Sequence, residues 1–426
     1  MAKDKIVCGI DVGSSKIATL IATIADDGRL NLIGVSAVPS RGVKKGQIVD
    51  IESAVESITE SVESAERMAG YSLSQSFVSM GGPQIESTNS HAVVAVAEPD
   101  GEIKASDIGR VNEAARAIAL PSSREILHVI PRTFTVDGQE GISDPIGMTG
   151  VRLETDTHII TGPTTSMRNL VKCVGMVGVD VRELVFSGVG SAHAVLTETE
   201  KELGVILVDI GGETTDIVIF VDGAIAYSSV IPLGGRHVTS DIAVGLRISL
   251  ESAEKIKQWL GRTPKVPTMP DEKEIGKKKE EEILELKSLG ITEDVQKISR
   301  KAVVDSIIRP RLQEIFKFVG KEIKKSGFGS QTPSGLVLAG GGSLTVGTLD
   351  QAKYILGFPA RLGKIEGFMG LIDEIESPTF ATAAGLLMYG AKSSGSSEMS
   401  LPVLGGGLPI KAMKQKVTDL IKSFLP

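Results

Sequence analysis

Apolar positions along this chain alternate between two periods, and the order in which they do so repeats. Residues 5–12 form a short β-branched run, 16–25 are rich in Ile and Thr, and 30–38 form a third run after an Asp26-Asp27-Gly28 turn. Such runs bounded by turn residues predict strands. The period then changes. After Asp50, a side chain suited to a helix N-cap, Val55, Ile58, Val62, Ala65 and Met68 or Ala69 follow at helical spacing. Gly70 stops the pattern, so a helix is predicted between Asp50 and Gly70.

The same plan recurs in the second half. Residues 203–210 read as a strand, 211–216 as a Gly-rich turn, 217–221 and 224–231 as two further strands around Asp222-Gly223. Asp11 and Asp209, the acids ahead of the two turns, stand 198 residues apart. An internal repeat of this length predicts two copies of one α/β unit facing each other. Between the copies, 84–162 has its own texture: strand 91–97, helix 105–118, strands 130–136 and 152–161, punctuated by Pro83, Pro121, Pro131 and Pro163. This is the expectation for a small inserted α+β domain. A helix over 165–177 returns the chain to the first unit.

Farther on, twelve of the seventeen residues 271–287 are charged, which reads as a solvated helix and loop. A helix over 312–323 leads to a strand over 335–339 that ends in Gly340-Gly341-Gly342. Residues 391–409, with runs of Ser and Gly, read as a flexible linker. The final segment, 410–426, returns to helical spacing.

Composition excludes several classes. The 426 residues suit two to three domains, and with 41% apolar and 23% charged residues they can bury real cores. The net charge of −7, spread along the chain, argues against a nucleic-acid binder. Aromatics at 4% leave few platforms for base stacking. Two cysteines, Cys8 and Cys173, make neither a disulfide framework nor a zinc site, so a reducing, intracellular compartment is expected. No run of 18 apolar residues predicts a membrane span, and the run 6–10 is too short for a signal peptide. His91, His128, His158, His193 and His237 show no ligand spacing and read as surface or internally satisfied groups.

The candidate chemistry lies in three glycine-bearing turns. In IDVGSSK (10–16), Asp11 ends a strand, Gly13 permits a sharp turn, and the amides of Gly13, Ser14 and Ser15 form a nest for a phosphate, with Lys16 adding a point charge. The segment DIGGETTD (209–216) repeats acid, glycine and hydroxyl in the equivalent place. Two opposed turns of this kind can clamp a polyphosphate, with Asp11 and Asp209 holding Mg²⁺ mostly through water. In LAGGGS (338–343), three glycines after a strand admit a planar base against the backbone.

Two phosphate loops, a late triple-glycine loop and a β-β-β-α repeat resemble the superfamily of actin, DnaK-type chaperones and sugar kinases. Within it, the chain resembles the FtsA family of bacterial cell-division proteins over nearly its whole length. The segments LVDIGGETTDI (207–217), IPLGGRHVTSDIA (231–243), LAGGGS (338–343) and SPTFATAAGLLMYG (377–390) carry the resemblance. It implies an actin-like two-lobed ATPase fold of class α/β. The first core would comprise 1–83 with 163–190, and the inserted subdomain 84–162. The second core would comprise 191–250 with 311–390, with an outer subdomain over 251–310. It also implies an ATP site with Mg²⁺: Asp11, Gly13, Ser14, Ser15 and Lys16 in the first loop, and Asp209, Gly211, Gly212, Glu213, Thr214 and Thr215 in the second. Gly234 and Gly235 would lie near the sugar and phosphates, Glu254 and Lys257 at the ribose, and Gly340, Gly341, Gly342 and Ser343 at the adenosine. Spacing alone makes Glu254 and Lys257 an ordinary i,i+3 ion pair.

Two departures bear on turnover. Many relatives have a third glycine where this chain has Glu213. Relatives such as MreB have Glu-Pro, with the glutamate positioning water, where this chain has Ser187-Gly188. The resemblance therefore implies ATP binding with slow hydrolysis, and no catalytic residue is nominated.

The last helix carries the second signal. Ile410, Met413, Val417, Leu420, Ile421, Phe424 and Leu425 share one face, with Lys411, Lys414, Lys416 and Lys422 elsewhere. An apolar stripe with excess lysine after a flexible linker suits a helix lying in an anionic membrane interface. In the family this helix targets the membrane, the molecules self-associate into filaments, and the second half receives the acidic C-terminal tail of FtsZ. Arg300, Lys301, Arg309 and Arg311 are the basic candidates for that tail, since guanidinium groups bind carboxylates bidentately. The resemblance thus implies a tether of the FtsZ ring at the cytoplasmic face of the inner membrane, at the septum, that recruits later division proteins. Two other readings share the fold: a PilM-like pilus-platform protein and a small-molecule kinase, for which no catalytic base stands out.

Overall fold

The computed structural model describes residues 5–97, 100–262, 283–284, 289–291, 293 and 298–395. Lys5–Val12 (β1), Lys16–Ile24 (β2), Leu30–Pro39 (β3), Val43–Lys44 (β4) and Gln47–Ile48 (β5) lead into helix Ile51–Ala69 (α1) and strand Gln75–Met80 (β6). The inserted region comprises Glu86–Ala95 (β7), Ala105–Arg116 (α2), Arg124–Val136 (β8), Gln139–Ile142 (β9) and Arg152–Pro163 (β10). Thr164–Met176 (α3), Asp180–Phe186 (β11), Ser187–Val195 (α4) and Glu198–Leu203 (α5) follow. The second unit runs Val205–Ile210 (β12), Thr215–Val221 (β13), Ala224–Ile231 (β14), Gly235–Leu246 (α6) and Leu250–Arg262 (α7). Short strands Ile283–Leu284 (β15) and Ile298–Ser299 (β16) precede Arg300–Val303 (α8), a π turn at Val304–Ile308 and Arg309–Ser326 (α9). The chain closes with Leu336–Ala339 (β17), Thr348–Leu356 (α10), Ala360–Leu362 (β18), Phe368–Gly370 (β19) and Ala381–Gly395 (α11).

Two sheets carry the repeat. The first has the order β11-β6-β1-β2-β3-β19 and the second β14-β13-β12-β17-β18. In each, an antiparallel three-strand meander pairs through its first strand, in parallel, with a later strand. A further parallel strand follows on the same edge. All six residues of β12 are buried because layers cover both faces. Val205 and Leu207 join the core around α4, while Ile206, Val208 and Ile210 join Phe316 and Val319 of α9.

Helix α1 forms as its pattern predicts. Asp50 Oδ1 accepts from the amides of Glu52 at 3.1 Å and Ser53 at 3.4 Å, and Gly70 closes the helix at φ 63°. Strands β6 and β11 have no counterpart in the sequence reading, because Gln75–Met80 and Asp180–Phe186 mix polar and apolar residues. The predicted helix over 312–323 starts earlier. The helical run passes through Pro310, and the widened π turn at Val304–Ile308 lies immediately before α9, whose first turn carries the proline.

The inserted sheet, β7-β10-β8-β9, is antiparallel throughout and packs α2 on one face. Its first strand begins at Glu86, ahead of the predicted 91, because polar side chains there are used against the second unit. Ser87 Oγ donates to the Ser228 carbonyl at 2.7 Å and Asn89 Nδ2 to that of Ala226 at 3.1 Å. His158 is buried between Asn89 Oδ1 (2.7 Å) and Ser228 Oγ (2.9 Å), and burial pushes it down to about 3, so it stays neutral.

The stretch 311–390 does not all belong to the second core. Strand β19 pairs in parallel with β3 of the first sheet. The buried residues of α11, among them Leu386 and Leu387, pack in the first core. A Cβ on Gly385 would lie 1.7 Å from the Gly190 carbonyl oxygen, so α11 crosses α4 at bare backbone. Gly385 is thus a packing requirement. Among the described residues, no helix is long and apolar enough to cross a membrane. Residues 391–395, read from sequence as the start of the flexible linker, instead continue α11. Most of the charged stretch 271–287, the rest of the linker and all of 410–426, with its apolar stripe, lie outside the described residues.

Candidate functional site

Both predicted phosphate loops are hairpin turns of the same build. In the first, the Gly13 amide donates to the Lys16 carbonyl at 3.1 Å; in the second, the Gly211 amide donates to the Thr214 carbonyl at 2.8 Å. Asp11 pairs across its hairpin with Ala18, and Asp209 with Asp216. The two turns meet: a Cβ on Gly212 would lie 2.8 Å from Ser15 Cβ. Glycine is required there by the approach of the opposite loop.

The acids are fixed from behind. Ser79 Oγ, on β6, donates to Asp11 Oδ1 at 2.7 Å and accepts from the Val12 amide at 2.9 Å. Ser191 Oγ, on α4, donates to Asp209 Oδ2, and Thr382 Oγ1 lies 3.3 Å from the same oxygen. Burial pushes the Asp11 carboxyl up, with Ser79 and Lys16 opposing, and pushes Asp209 up to about 6. Lys16 is pushed down to about 8 by burial, while both Asp11 and Asp209 pull it back. Its ammonium sits 3.6 Å from the centre of the Phe380 ring. The Lys16 ammonium is therefore held between two acids and an aromatic face.

Asp216 is the residue that sequence reasoning quoted in its motif without assigning a role. It is buried, Ser187 Oγ donates to its Oδ2 at 2.5 Å, and its Oδ1 has no partner. Burial, then the neighbouring Asp209, push it up to about 8. Ser79, Ser191 and Thr382 also went unread, because each is brought in from a separate element. The signal for Asp216 was available, since the acid stands opposite Asp209 in the predicted hairpin.

Glycines 234 and 235 close the second loop from outside. The Gly235 amide donates to the Gly211 carbonyl at 2.9 Å and the Arg236 amide to that of Gly212 at 2.7 Å. A Cβ on Gly234 would lie 2.7 Å from the Gly211 oxygen. Helix α7 brings Glu254 and Lys257 to the start of α6. They form the i,i+3 pair at 2.8 Å, and Lys257 Nζ also donates to the Gly235 carbonyl at 3.1 Å and to Thr239 Oγ1 at 2.8 Å. Burial works against ionisation of Glu254, yet Lys257 and three hydrogen bonds hold it below its ordinary value.

The third loop divides its work. Gly340 has φ 75°, and a Cβ there would lie 2.2 Å from Asp209 Oδ1, so this glycine is set by the acid. Ser343 is buried and its hydroxyl donates to the Gly340 carbonyl at 2.7 Å, shaping the loop. Gly341 is exposed, and a Cβ on Gly342 would strike Ile210 at 2.3 Å. Thr215 departs from expectation: it is fully buried and its hydroxyl donates to the Leu233 carbonyl at 2.7 Å, away from a phosphate. Glu213 accepts from the Lys45 amide at 2.7 Å and pairs with Arg236 at 3.5 Å. Among the described residues, no group of three or more His, Cys, Asp or Glu is placed to hold a metal ion.

The basic cluster separates. Arg311 is bound bidentately to Asp241, at 2.6 and 2.8 Å, and also donates to Glu314. Its fork is consumed inside the lobe. Arg309 is exposed and pairs with Asp305 at 2.7 Å, Lys301 is exposed, and Arg300 lies 5.9 Å from the Trp259 ring.

The geometry invites comparison with known proteins. The profile of the SHS2 domain inserted in FtsA matches residues 82–161, and that of cell division protein FtsA matches 206–385. Cell division protein FtsA of Pseudomonas aeruginosa is 38% identical over 99% of this chain and 97% of its own. The chain belongs to the FtsA family of cell division proteins. FtsA of Borreliella burgdorferi is 40% identical over 90% of each chain, and FtsA of Escherichia coli 34% over 91% of each. Solved structures share the fold at lower identity. The PilM-PilN type IV pilus biogenesis complex aligns with a TM-score of 0.61 and 17% identity, over 90% of this chain and 98% of that one. MreB5 of Spiroplasma citri bound to ADP aligns at 0.52 and 14%, over 92% and 99%. The actin-like fold thus stands, and the inserted four-stranded sheet lies in the region that matches the SHS2 domain.

Proposed function

We propose that this FtsA-family chain binds ATP with Mg²⁺ between its two lobes and, in that state, self-associates and tethers FtsZ to the inner membrane. The observation that carries the nucleotide reading is the contact of two equivalent Asp-bearing hairpins, with Gly340 against Asp209. The residues present fit the group. Glycines stand where the backbone approaches closest, and one buried carboxylate oxygen, Asp216 Oδ1, lacks a protein partner.

The Gly13 and Gly211 amides, read from sequence as phosphate donors, are taken by the Lys16 and Thr214 carbonyls within the turns. The amides of Ser14, Ser15 and Gly212 would bind the phosphates, with Lys16 adding charge. Asp11 and Asp209 would hold a hydrated Mg²⁺. Lys257 and Glu254 would face the ribose, and Gly341 would lie against the base. Bound Mg-ATP would supply a divalent cation to offset Asp11 and Asp209, and phosphate oxygens for the loop amides and Lys16 to bind. Ser187 stands where MreB-type relatives have a glutamate, and its hydroxyl is committed to Asp216. Hydrolysis would accordingly be slow.

The membrane part of the reading rests on the apolar and lysine pattern of 410–426, and the FtsZ part on Arg300, Lys301 and Arg309. One terminal helix binds weakly, and an assembly of many raises avidity. The test is pelleting with acidic liposomes, with and without Mg-ATP, for the full chain and for a chain ending at Pro409. The expected outcome is ATP-enhanced pelleting of the full chain alone. A full chain that stays in solution under all conditions overturns the tether. Binding of an FtsZ C-terminal tail peptide, weakened by Lys301→Ala with Arg309→Ala, tests the partner surface.

A further inference from the structure

Between β4 and β5 lies a two-residue turn whose function nothing above explains. Val43 pairs with Ile48 and Lys44 with Gln47, leaving Lys45 and Gly46 as its tip. Both have positive φ, 47° and 72°. That is the type I′ geometry, unusual for a lysine at the first tip position. In such a turn the two tip amides lie outside the ladder and are free to bond elsewhere.

Here they are used in opposite directions. The Gly46 amide donates to Ser14 Oγ at 2.9 Å, in the first phosphate loop. The Lys45 amide donates to Glu213 Oε2 at 2.7 Å, in the second phosphate loop. The other Glu213 oxygen pairs with Arg236 at 3.5 Å, one residue into α6. Glu213 is held rather than solvated, with 15% of its side chain exposed. Gly46 cannot be otherwise, since a Cβ there would lie 2.7 Å from the Gly81 carbonyl carbon. One hairpin tip therefore stitches the two lobes together at the phosphate end of the cleft, and the stitch depends on a carboxylate.

We propose that Glu213 and the 45–46 tip form a clasp that retards nucleotide release by holding the two phosphate loops together. Glu213 acts as a positioning residue and touches no nucleotide. The inference rests on the ATP reading for its consequence, while the clasp itself can be seen without nucleotide. Loss of the clasp exposes the Lys45 amide and lets the lobes part. A hydrogen bond to a charged acceptor of this kind is worth about a tenfold change in a rate or equilibrium that depends on it.

Two measurements test this on the full chain, in the wild type, Glu213→Ala and Glu213→Gln. The first is exchange of the Lys45 amide without nucleotide, read at residue resolution. The second is dissociation of a fluorescent ATP analogue with Mg²⁺, read by stopped flow. Exchange at Lys45 should rise about tenfold in Glu213→Ala, and release should quicken by a similar factor. Glu213→Gln, which keeps an acceptor oxygen and loses the charge, should fall between. Unchanged exchange at Lys45 overturns the clasp. Faster exchange with unchanged or slower release overturns its role in retention, and slower release would mean that the carboxylate repels the phosphates. Faster exchange in a chain that binds no analogue upholds the clasp and overturns the ATP reading.

Discussion

The two Asp-bearing hairpins are built on one template and differ in charge. Aligned on Asp11 and Asp209, the first continues Val-Gly-Ser-Ser-Lys-Ile-Ala and the second Ile-Gly-Gly-Glu-Thr-Thr-Asp. Register, turn bonds and the serine behind each acid are shared. The first hairpin contributes a cation, Lys16, and leaves Ala18 opposite its acid. The second contributes two extra carboxylates, Glu213 and Asp216. The repeat gives the cleft its geometry, and three positions, Ser15/Glu213, Lys16/Thr214 and Ala18/Asp216, make its two walls unlike in charge. The proposed ligand, a polyphosphate with a divalent cation, would use both, since it offers negative oxygens and a positive centre together.

The comparison can be broken most severely by making the first hairpin carry the second's acid. Ala18→Asp buries a carboxyl at a fully buried position opposite Asp11. A loss of about 3–5 kcal/mol in urea unfolding is expected. The glycines after the parallel strands give a graded case. Gly340→Ala forces a positive φ and a clash with Asp209 and the Ile210 backbone, and should cost about 2–4 kcal/mol. Gly81→Ala meets chiefly the Ser187 hydroxyl and pushes it off Asp216, and should cost about 1–2 kcal/mol in the same urea unfolding.

Removing the extra acid sharpens the comparison through pH. Asp216 is raised to about 8 in the folded chain, from 3.8 as its ordinary value. Below the ordinary value both states hold the proton and its stabilising effect is complete. As pH rises toward 8 the unfolded chain ionises first, and stability is lost at up to about 1.4 kcal/mol per pH unit. Asp216→Ala, which restores the Asp11–Ala18 pairing pattern, should flatten the stability of the nucleotide-free protein between pH 5 and pH 8. A variant as steep as the wild type would place the dependence elsewhere. The smallest effect is expected for Thr215→Val, which mimics Ile17. It loses the bond to Leu233 and should lower stability by about 1 kcal/mol with nucleotide affinity unchanged.

Much of this was legible in sequence because it is local. Strands β1 to β3, the Asp50 and Gly70 ends of α1, and the acid-glycine turns follow from neighbours in the chain. What was illegible depends on distant partners. Strand β6 takes both of its neighbours in the sheet, β1 and β11, from far along the chain. The hydroxyl of Thr215 is claimed by Leu233, and Arg311 by Asp241, neither of which its own segment announces. The return of β19 to β3 joins residues more than three hundred positions apart. A hairpin tip of two residues that spans both lobes leaves no periodic trace at all.

That return also sets an order of assembly. The strands of the second sheet are drawn from one continuous stretch, 205–362, whereas the first sheet takes its last strand from 368–370 and its core the helix after that. During synthesis from the N-terminus, the later half can complete its sheet while the earlier half still lacks an edge strand and a helix. The half that is made first is finished last. The hydrophobic floor beneath β1 waits uncovered until α11 emerges, and that interval is when the nascent chain is most exposed to misassociation.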